Sequence, residues 1–335
     1  MSLNYVRDYN REIRAWLLRV FEHAASLPKH LLVRRPCPVC GSGKSTFFAN
    51  NGYLDYERCG DCSLLFMNPA VPSDAVKQGF AGDDELLMDY FRIAMTYKAG
   101  LPEKPDPATD GKLRDVYGIK PSGRLLDVGC SLGDFLQRAK FFYDVEGVEI
   151  NPHTAAVAAL HFRIYTQVLP SLNLGKNYDI VTLHQILYGV PDPVGLLRDI
   201  HGLLRDDGIL YINTPNADSH ALKLFGGKAN HLYGYTTQNV FNHKSLSRLA
   251  DLSGFQIRTF RTEWVDIYLT DVLEHLEHPE RFIHKKNSHL ENYEDNIRRE
   301  DELHRSLGID LGMHGNYLVA VLEKKHGDRQ PGATA

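Results

Sequence analysis

The chain has 335 residues, 43% hydrophobic and 24% charged, the balance of a globular protein able to bury a full core. Its 38 basic and 42 acidic residues leave a net charge of −4, so no global field draws in nucleic acid or an anionic membrane. No apolar run reaches the roughly 18 residues of a membrane span, and the N-terminus lacks a signal-peptide layout. Secreted, membrane and disordered classes are excluded on these grounds, and a cytoplasmic enzyme is expected.

Residues 1–30 carry an amphipathic helix pattern, with Trp16, Leu17, Val20, Phe21 and Ala24 at helical spacing. Residues 31–70 hold four of the five cysteines as two Cys-x-x-Cys pairs, Cys37/Cys40 and Cys59/Cys62. That spacing lets four thiolates converge tetrahedrally on one Zn²⁺, which would be structural because no coordination position stays open. Two disulfides fit poorly without a secretion signal, and a redox dithiol needs only one pair. Pro38, Gly41 and Gly60 supply turn chemistry for the two knuckles. Gly43-Lys44-Ser45 looks like the end of a phosphate loop, but Pro38 stands where that loop needs glycine.

Residues 71–107 read as a helical linker, with a helix near 85–97 and then a stretch too rich in proline to continue it. From 108 to 326 the pattern alternates strands and helices, the signature of a parallel sheet covered on both faces. Strands are expected at 124–128, 145–150, 162–165, 178–183, 209–213, 255–262 and 317–322, and helices at 110–117, from 132, after Asn151-Pro152, and at 193–204 and 245–252. Residues 264–306 read as a helical insertion, either a lid or a homodimer contact, and 327–335 as a disordered tail. Glu274, His275, Glu277, His278, His284 and His289 sit in that charged insertion, where a solvated helix surface is favoured over a second metal site.

The stretch Leu125-Leu126-Asp127-Val128-Gly129-Cys130-Ser131-Leu132-Gly133-Asp134 takes an apolar strand through an acid and small residues into a helix. Gly129 and Gly133 admit a ligand that a Cβ would block. Glu149, at the end of the next strand, is placed to accept both hydroxyl protons of an adenosine ribose. A dinucleotide fold would read Gly-x-Gly-x-x-Gly, and Asp127 would repel its pyrophosphate while attracting a cationic amino-acid ligand. Adenosine joined to an ammonium points to S-adenosylmethionine.

On these residues the chain resembles a class I S-adenosylmethionine-dependent methyltransferase. Tyr178-Asp179-Ile180-Val181 matches the strand lining the methyl-transfer cleft, and Leu203 through Thr214-Pro215-Asn216 matches the segment after it. The resemblance implies a Rossmann-like α/β fold with a doubly wound, seven-stranded sheet. With the zinc module ahead of it, the chain is similar to sugar C-methyltransferases and natural-product tailoring enzymes. It implies cofactor contacts from Asp127, Gly129, Ser131, Gly133 and Glu149, and a small polar acceptor methylated on carbon or oxygen; His184, just past the cleft strand, is placed to contact the cofactor or the substrate, or to pack. His231, in a His-containing segment similar to that of the sugar enzymes, is the expected base, with Tyr188, Tyr233 and Tyr235 as acceptor-pocket walls. Two departures stand out. Ser131 replaces a glycine, and Ile186-Leu187-Tyr188-Gly189-Val190 lacks the Glu-His pair usual in related small-molecule enzymes.

Three rival readings exist. Gly129-Cys130-Ser131-Leu132-Gly133 literally matches a hydrolase elbow with Ser131 as nucleophile and Asp192 and His231 as partners, but no oxyanion run precedes it. An RNA methyltransferase gripping nucleic acid through the zinc module has only Lys29, Arg34, Arg35, Lys44 and Arg58 against Asp55, Glu57 and Asp61 to work with. A binder that kept the fold without catalysis would explain the missing Glu-His pair.

Overall fold

A computed structural model describes residues 29–78, 107–172, 174–232, 236–263 and 312–325, with Glu12, Ala15, Trp16, Arg19, Glu85, Met88, Asp89, Arg92, Ile93 and Thr96. The expected insertion at 264–306, the tail at 327–335, Tyr233 and Tyr235 lie outside the described residues. So does the N-terminal helix, apart from its four described residues, which are helical.

Seven strands form the main sheet: β4 (Arg124–Val128), β5 (Asp144–Val148), β6 (Arg163–Tyr165), β7 (Tyr178–His184), β8 (Leu204–Pro215), β10 (Phe255–Glu263) and β11 (Tyr317–Lys324). Their spatial order is β10-β11-β8-β7-β4-β5-β6. The strands from β8 to β6 run parallel, and β11 inserts antiparallel between β8 and β10. The chain first builds outward from β4 through β5 to β6, then returns to place β7 on the other side of β4. That reversal opens a crevice beyond the carboxyl ends of β4 and β7, the place where open α/β sheets bind ligands.

The strands read as near-continuous apolar runs because both faces are covered. Leu125, Ile180, Ile209, Val319 and Val321 pack on one side with Leu113 and Val116 of α2 (Pro107–Ile119) and Phe135, Leu136 and Ala139 of α3 (Asp134–Ala139). Leu126, Val181, Leu210 and Leu318 face the other side, under Leu197 and Ile200 of α5 (Pro193–Leu203) and Leu246 and Leu249 of α7 (His243–Leu252). Local chemistry fixes the helix starts. Asn151 caps α4 (Pro152–Ala158) through the His153 and Thr154 amides, and Asp192 caps α5 through Gly195, each with proline at the first helical position. Ser219 caps α6 (His220–Phe225) through Leu222.

A second, four-stranded sheet carries the cysteines: β1 (Ser45–Asn50), β2 (Asp55–Cys59), β3 (Leu65–Met67) and β9 (Asn239–Val240). Sequence reading ends this module near residue 70, yet its last strand comes from far along the chain, between α6 and α7, with Leu65 opposite Val240 and Phe66 opposite Asn239. Cys37, Cys59, Cys62, Leu64 and Phe66 also share one continuous core with the main sheet. After β3 the chain enters α1 (Ser73–Gln78), the first piece of the expected helical linker.

The junction is tight. A Cβ built on Gly227 would lie 1.8 Å from the carbonyl oxygen of Asn50 in β1. Gly227→Ala is therefore expected to cost about 1–3 kcal/mol of stability, read from a denaturant midpoint. An unchanged midpoint would mean the contact gives way freely.

Candidate active site

β4 delivers Asp127 to the crevice and the loop after it turns sharply. Gly129 and Gly133 take φ of 78° and 85°, and Ser131, between them, is itself left-handed at 51°. A Cβ on Gly129 would come within 2.1 Å of the Ile186 side chain, so the loop and the segment after β7 close on each other at this point. The residue leaving β7, Gln185, also has a positive φ of 58°. Left-handed non-glycine residues cost free energy, and two of them at one crevice mark a constrained site.

Glu149 is buried and reaches back across the loop. One carboxylate oxygen accepts the Ser131 amide at 2.8 Å and the other accepts the Asn151 amide, also at 2.8 Å. Burial raises its pKa, and the backbone amides partly offset this. Asp127 is 2% exposed and accepts the Thr182 hydroxyl at 2.7 Å, the partner opposite it in the β4–β7 register. Burial pushes its carboxyl up to about 7 against the Thr182 hydrogen bond and the pull of Lys112, with Glu149 adding to the rise. Two buried carboxyls at one crevice suit a cation with hydroxyl donors.

His184 ends β7, its ring between Phe135 at 4.3 Å and Tyr211 at 5.3 Å between centroids. Among the described residues neither ring nitrogen has a hydrogen-bond partner. Burial, with Lys112 adding to it, holds its pKa well below the usual imidazole range, so it is neutral at pH 7. The structure thus brings Asp127, Gly129, Ser131, Gly133, Glu149 and His184 to one end of the sheet. Cys130 is packing: its sulfur lies 2.6 Å from where a Gly147 Cβ would stand, and burial pushes its pKa up.

His231 lies in a short turn, Asn230–Leu232, beyond the carboxyl end of β8. It is 3% exposed and meets Tyr317 edge to face at 5.2 Å, where β11 begins opposite Pro215. The carbonyl of Tyr188 accepts the Gln238 amide at 2.9 Å. Asp192, nominated for a hydrolase triad, is instead occupied capping α5 through Gly195 at 2.9 Å.

The four cysteine sulfurs lie within 4.8 Å of one another, with Cys37–Cys62 and Cys40–Cys59 each at 3.5 Å and no bond between them. A tetrahedral zinc thiolate centre places sulfurs about 3.8 Å apart, so the donors fit a closed Zn²⁺ site. The hydrogen bond between the two thiols pulls Cys37 down to about 5 and, with burial, drives Cys62 up, since Cys62 keeps the proton that Cys37 gives up. The knuckles match: Gly41 donates to the Cys37 carbonyl at 2.9 Å and Ser63 to that of Cys59 at 3.0 Å. The sequence reading assigns turn chemistry in the second knuckle to Gly60, but the left-handed residue is Ser63, at φ 65° against 72° for Gly41. Ser63→Gly is expected to stabilise the zinc-loaded protein by about 0.5–1 kcal/mol; a lower denaturation midpoint would contradict the strain.

A seven-stranded sheet with this order and an antiparallel strand inserted next to its edge, an adenosine-type acid on the second strand of the parallel series and a buried acid on the first define the class I S-adenosylmethionine-dependent methyltransferases. Residues 107–259 match a family model described as a methyltransferase domain, and the chain carries that domain, with S-adenosylmethionine as its cofactor. The chain is 26% identical over 179 residues to a ubiquinone biosynthesis O-methyltransferase of Xanthomonas campestris pv. campestris, covering 50% of this chain and 74% of that one. A protein of the same description from Aeromonas salmonicida is 27% identical over 151 residues, 40% of this chain and 63% of its own. Among solved structures, an Archaeoglobus fulgidus SAM-dependent methyltransferase aligns with a TM-score of 0.46 at 18% identity, over 70% of this chain and 99% of that one. The Burkholderia thailandensis 1,6-didemethyltoxoflavin-N1-methyltransferase, bound to its acceptor and S-adenosylhomocysteine, aligns at 0.48 and 14%, over 80% and 98%.

The elevated Asp127 pKa carries a sign. Below pH 7 the empty site holds a proton there, which a cationic ligand must displace; above it, no proton is lost. S-adenosylhomocysteine affinity is therefore expected to rise about fivefold between pH 6 and 7, by about a further twofold to pH 8, and then flatten, measured by calorimetry. Asp127→Asn should bind weakly and without that slope. A slope persisting in this variant would assign the proton elsewhere.

Proposed function

We propose that the protein transfers a methyl group from S-adenosylmethionine to a hydroxyl of a small polar acceptor, such as a sugar or a secondary-metabolite scaffold. The observation that carries this reading is the position of His231, buried beside Tyr317 where the amino end of β11 meets the carboxyl end of β8, the end of the sheet that carries His184 of β7. The matching relatives, described as O-methyltransferases, favour oxygen over carbon. When bound, S-adenosylmethionine supplies an electrophilic methyl on a sulfonium.

Asp127 holds the cationic amino-acid end, Glu149 the ribose hydroxyls, and His184 lends its two free ring nitrogens to the methionine side. His231 takes the hydroxyl proton as the acceptor oxygen bonds to the methyl carbon. The electron pair of the carbon–sulfur bond would be taken up on the bound cofactor's sulfur as the methyl leaves it, which balances the transfer. Tyr188, in the segment that follows β7, walls the acceptor. Alignment of the oxygen with the methyl in a closed cleft provides most of the acceleration. Acceptors differing only in a ring substituent would be sorted by those walls.

The test pairs two measurements. Calorimetry with S-adenosylhomocysteine should show micromolar-range binding, and a panel of sugars, phenols and polyketide-type alcohols should release S-adenosylhomocysteine with at least one member. Binding without turnover on any member, but turnover on RNA, would move the acceptor to nucleic acid. No binding at all would sink the methyltransferase mechanism.

A further inference from the structure

The zinc sheet does more than flank the catalytic domain. Its hydrogen bonds to that domain include several to the two segments that border the acceptor side of the crevice. Arg35, two residues before the ligand Cys37, sends one guanidinium nitrogen to the Pro191 carbonyl at 3.3 Å. The other reaches the Gln238 carbonyl at 3.2 Å, the Gln238 side chain at 3.5 Å and the Asn239 side chain at 3.4 Å. The two segments are tied to each other at the same place. Asn239 donates to the Val190 carbonyl at 2.7 Å, and the Gln238 amide to Tyr188 at 2.9 Å.

Further contacts extend the grip. The Tyr56 hydroxyl donates to the Thr237 carbonyl at 2.8 Å, and the Met67 amide to Gln238 at 3.0 Å. Asn51 donates to the Leu232 carbonyl at 2.7 Å, one residue from His231. The cysteine knuckles set where Arg35 and β1–β3 stand, because Cys37, Cys59 and Cys62 share their core with Leu64, Phe66 and Phe241. Carbonyls and amides in 188–191 and 237–239 are thereby held from the zinc side, while the cofactor loop at 129–133 is shaped by Glu149 and Ile186.

We propose that the metal held by Cys37, Cys40, Cys59 and Cys62 sets the shape of the acceptor wall, and that Arg35 is the positioning residue that transmits it to 188–191 and 237–239. The word acceptor rests on the function proposed above; the coupling itself does not. Metal occupancy then governs acceptor fit more than cofactor affinity. A planar guanidinium suits the task, since one side chain satisfies four oxygens spread over two segments, which an ammonium serves less well.

Hydrogen–deuterium exchange on the full-length protein tests this, with zinc content and S-adenosylhomocysteine affinity measured in parallel. Arg35→Ala is expected to keep its zinc and to bind S-adenosylhomocysteine within about threefold of the parent, while exchange in 187–191 and 236–240 speeds about tenfold. Arg35→Lys should fall between the two. Stripping zinc with a chelator should release the same two segments together with 37–66. Wild-type exchange in Arg35→Ala, or equal loosening of the central strand 124–128, overturns the proposal. Failure of the parent protein to bind S-adenosylhomocysteine would instead overturn the methyltransferase mechanism and leave the exchange result standing.

Discussion

His231→Asn is expected to lower kcat by about 10²–10⁴-fold, the range a positioned general base contributes, with S-adenosylhomocysteine affinity unchanged. The choice of asparagine matters. His231 is 3% exposed and packs edge to face on Tyr317, so alanine would leave a cavity and confuse chemistry with stability. Asparagine keeps a polar group of smaller but comparable reach and loses the ring nitrogen that accepts the proton. Turnover within threefold of the parent would reduce His231 to packing and move the search for a base to the segment carrying Tyr233 and Tyr235. A loss of turnover together with a large drop in melting temperature would show the ring to be structural first.

Removal of the metal is expected to be the largest stability effect. Zinc in small cysteine sites contributes on the order of 10–16 kcal/mol of apparent binding free energy, and here that energy also holds part of the shared core. Cys59→Ser leaves three thiolates beside a hydroxyl that does not replace the fourth, and Cys59 is 2% exposed. The variant should lose stoichiometric zinc and unfold well below the parent in a thermal scan, with the cysteine region melting together with 236–242. If Cys59→Ser lost its zinc and kept the parent midpoint, the metal would contribute nothing to the shared core; a parent protein that takes up no zinc would make the four sulfurs a packing cluster and not a metal centre.

Much of this was legible in the sequence where the signal was local. Two Cys-x-x-Cys pairs encode a tetrahedral donor set by spacing alone, and the cysteines do converge. Asp127 through Gly133 encodes a strand, a tight loop and a helix start in one continuous stretch, and Glu149 follows one strand later, so the elements that bring these residues to one end of the sheet could be read outright. The acceptor side could not. β9 is two residues, Asn239–Val240, with no periodicity to announce it; pairing with β3 alone makes it a strand. Arg35 reads as one of a few scattered basic residues until its four oxygen partners, all far along the chain, are known. Composition favours Gly60 for the second knuckle because glycine is the common turn residue, whereas hydrogen-bond closure onto Cys59 makes Ser63 the residue that turns left.

The loan of β9 to the cysteine sheet also bears on how the protein is made. Leu65 and Phe66 cannot meet Val240 and Asn239 until most of the chain has left the ribosome. Until then β3 presents an open apolar edge, Leu65-Phe66-Met67, of the kind that pairs with other chains. Early capture of zinc by residues 37–62 would close the knuckles but leave that edge bare, so the module cannot finish folding ahead of its partner. A fragment ending near residue 70 would carry every metal ligand and still lack its last strand, which predicts a metal-binding but aggregation-prone piece. The two sheets mature as one unit, bound by a contact of very long sequence separation, the kind that slows folding.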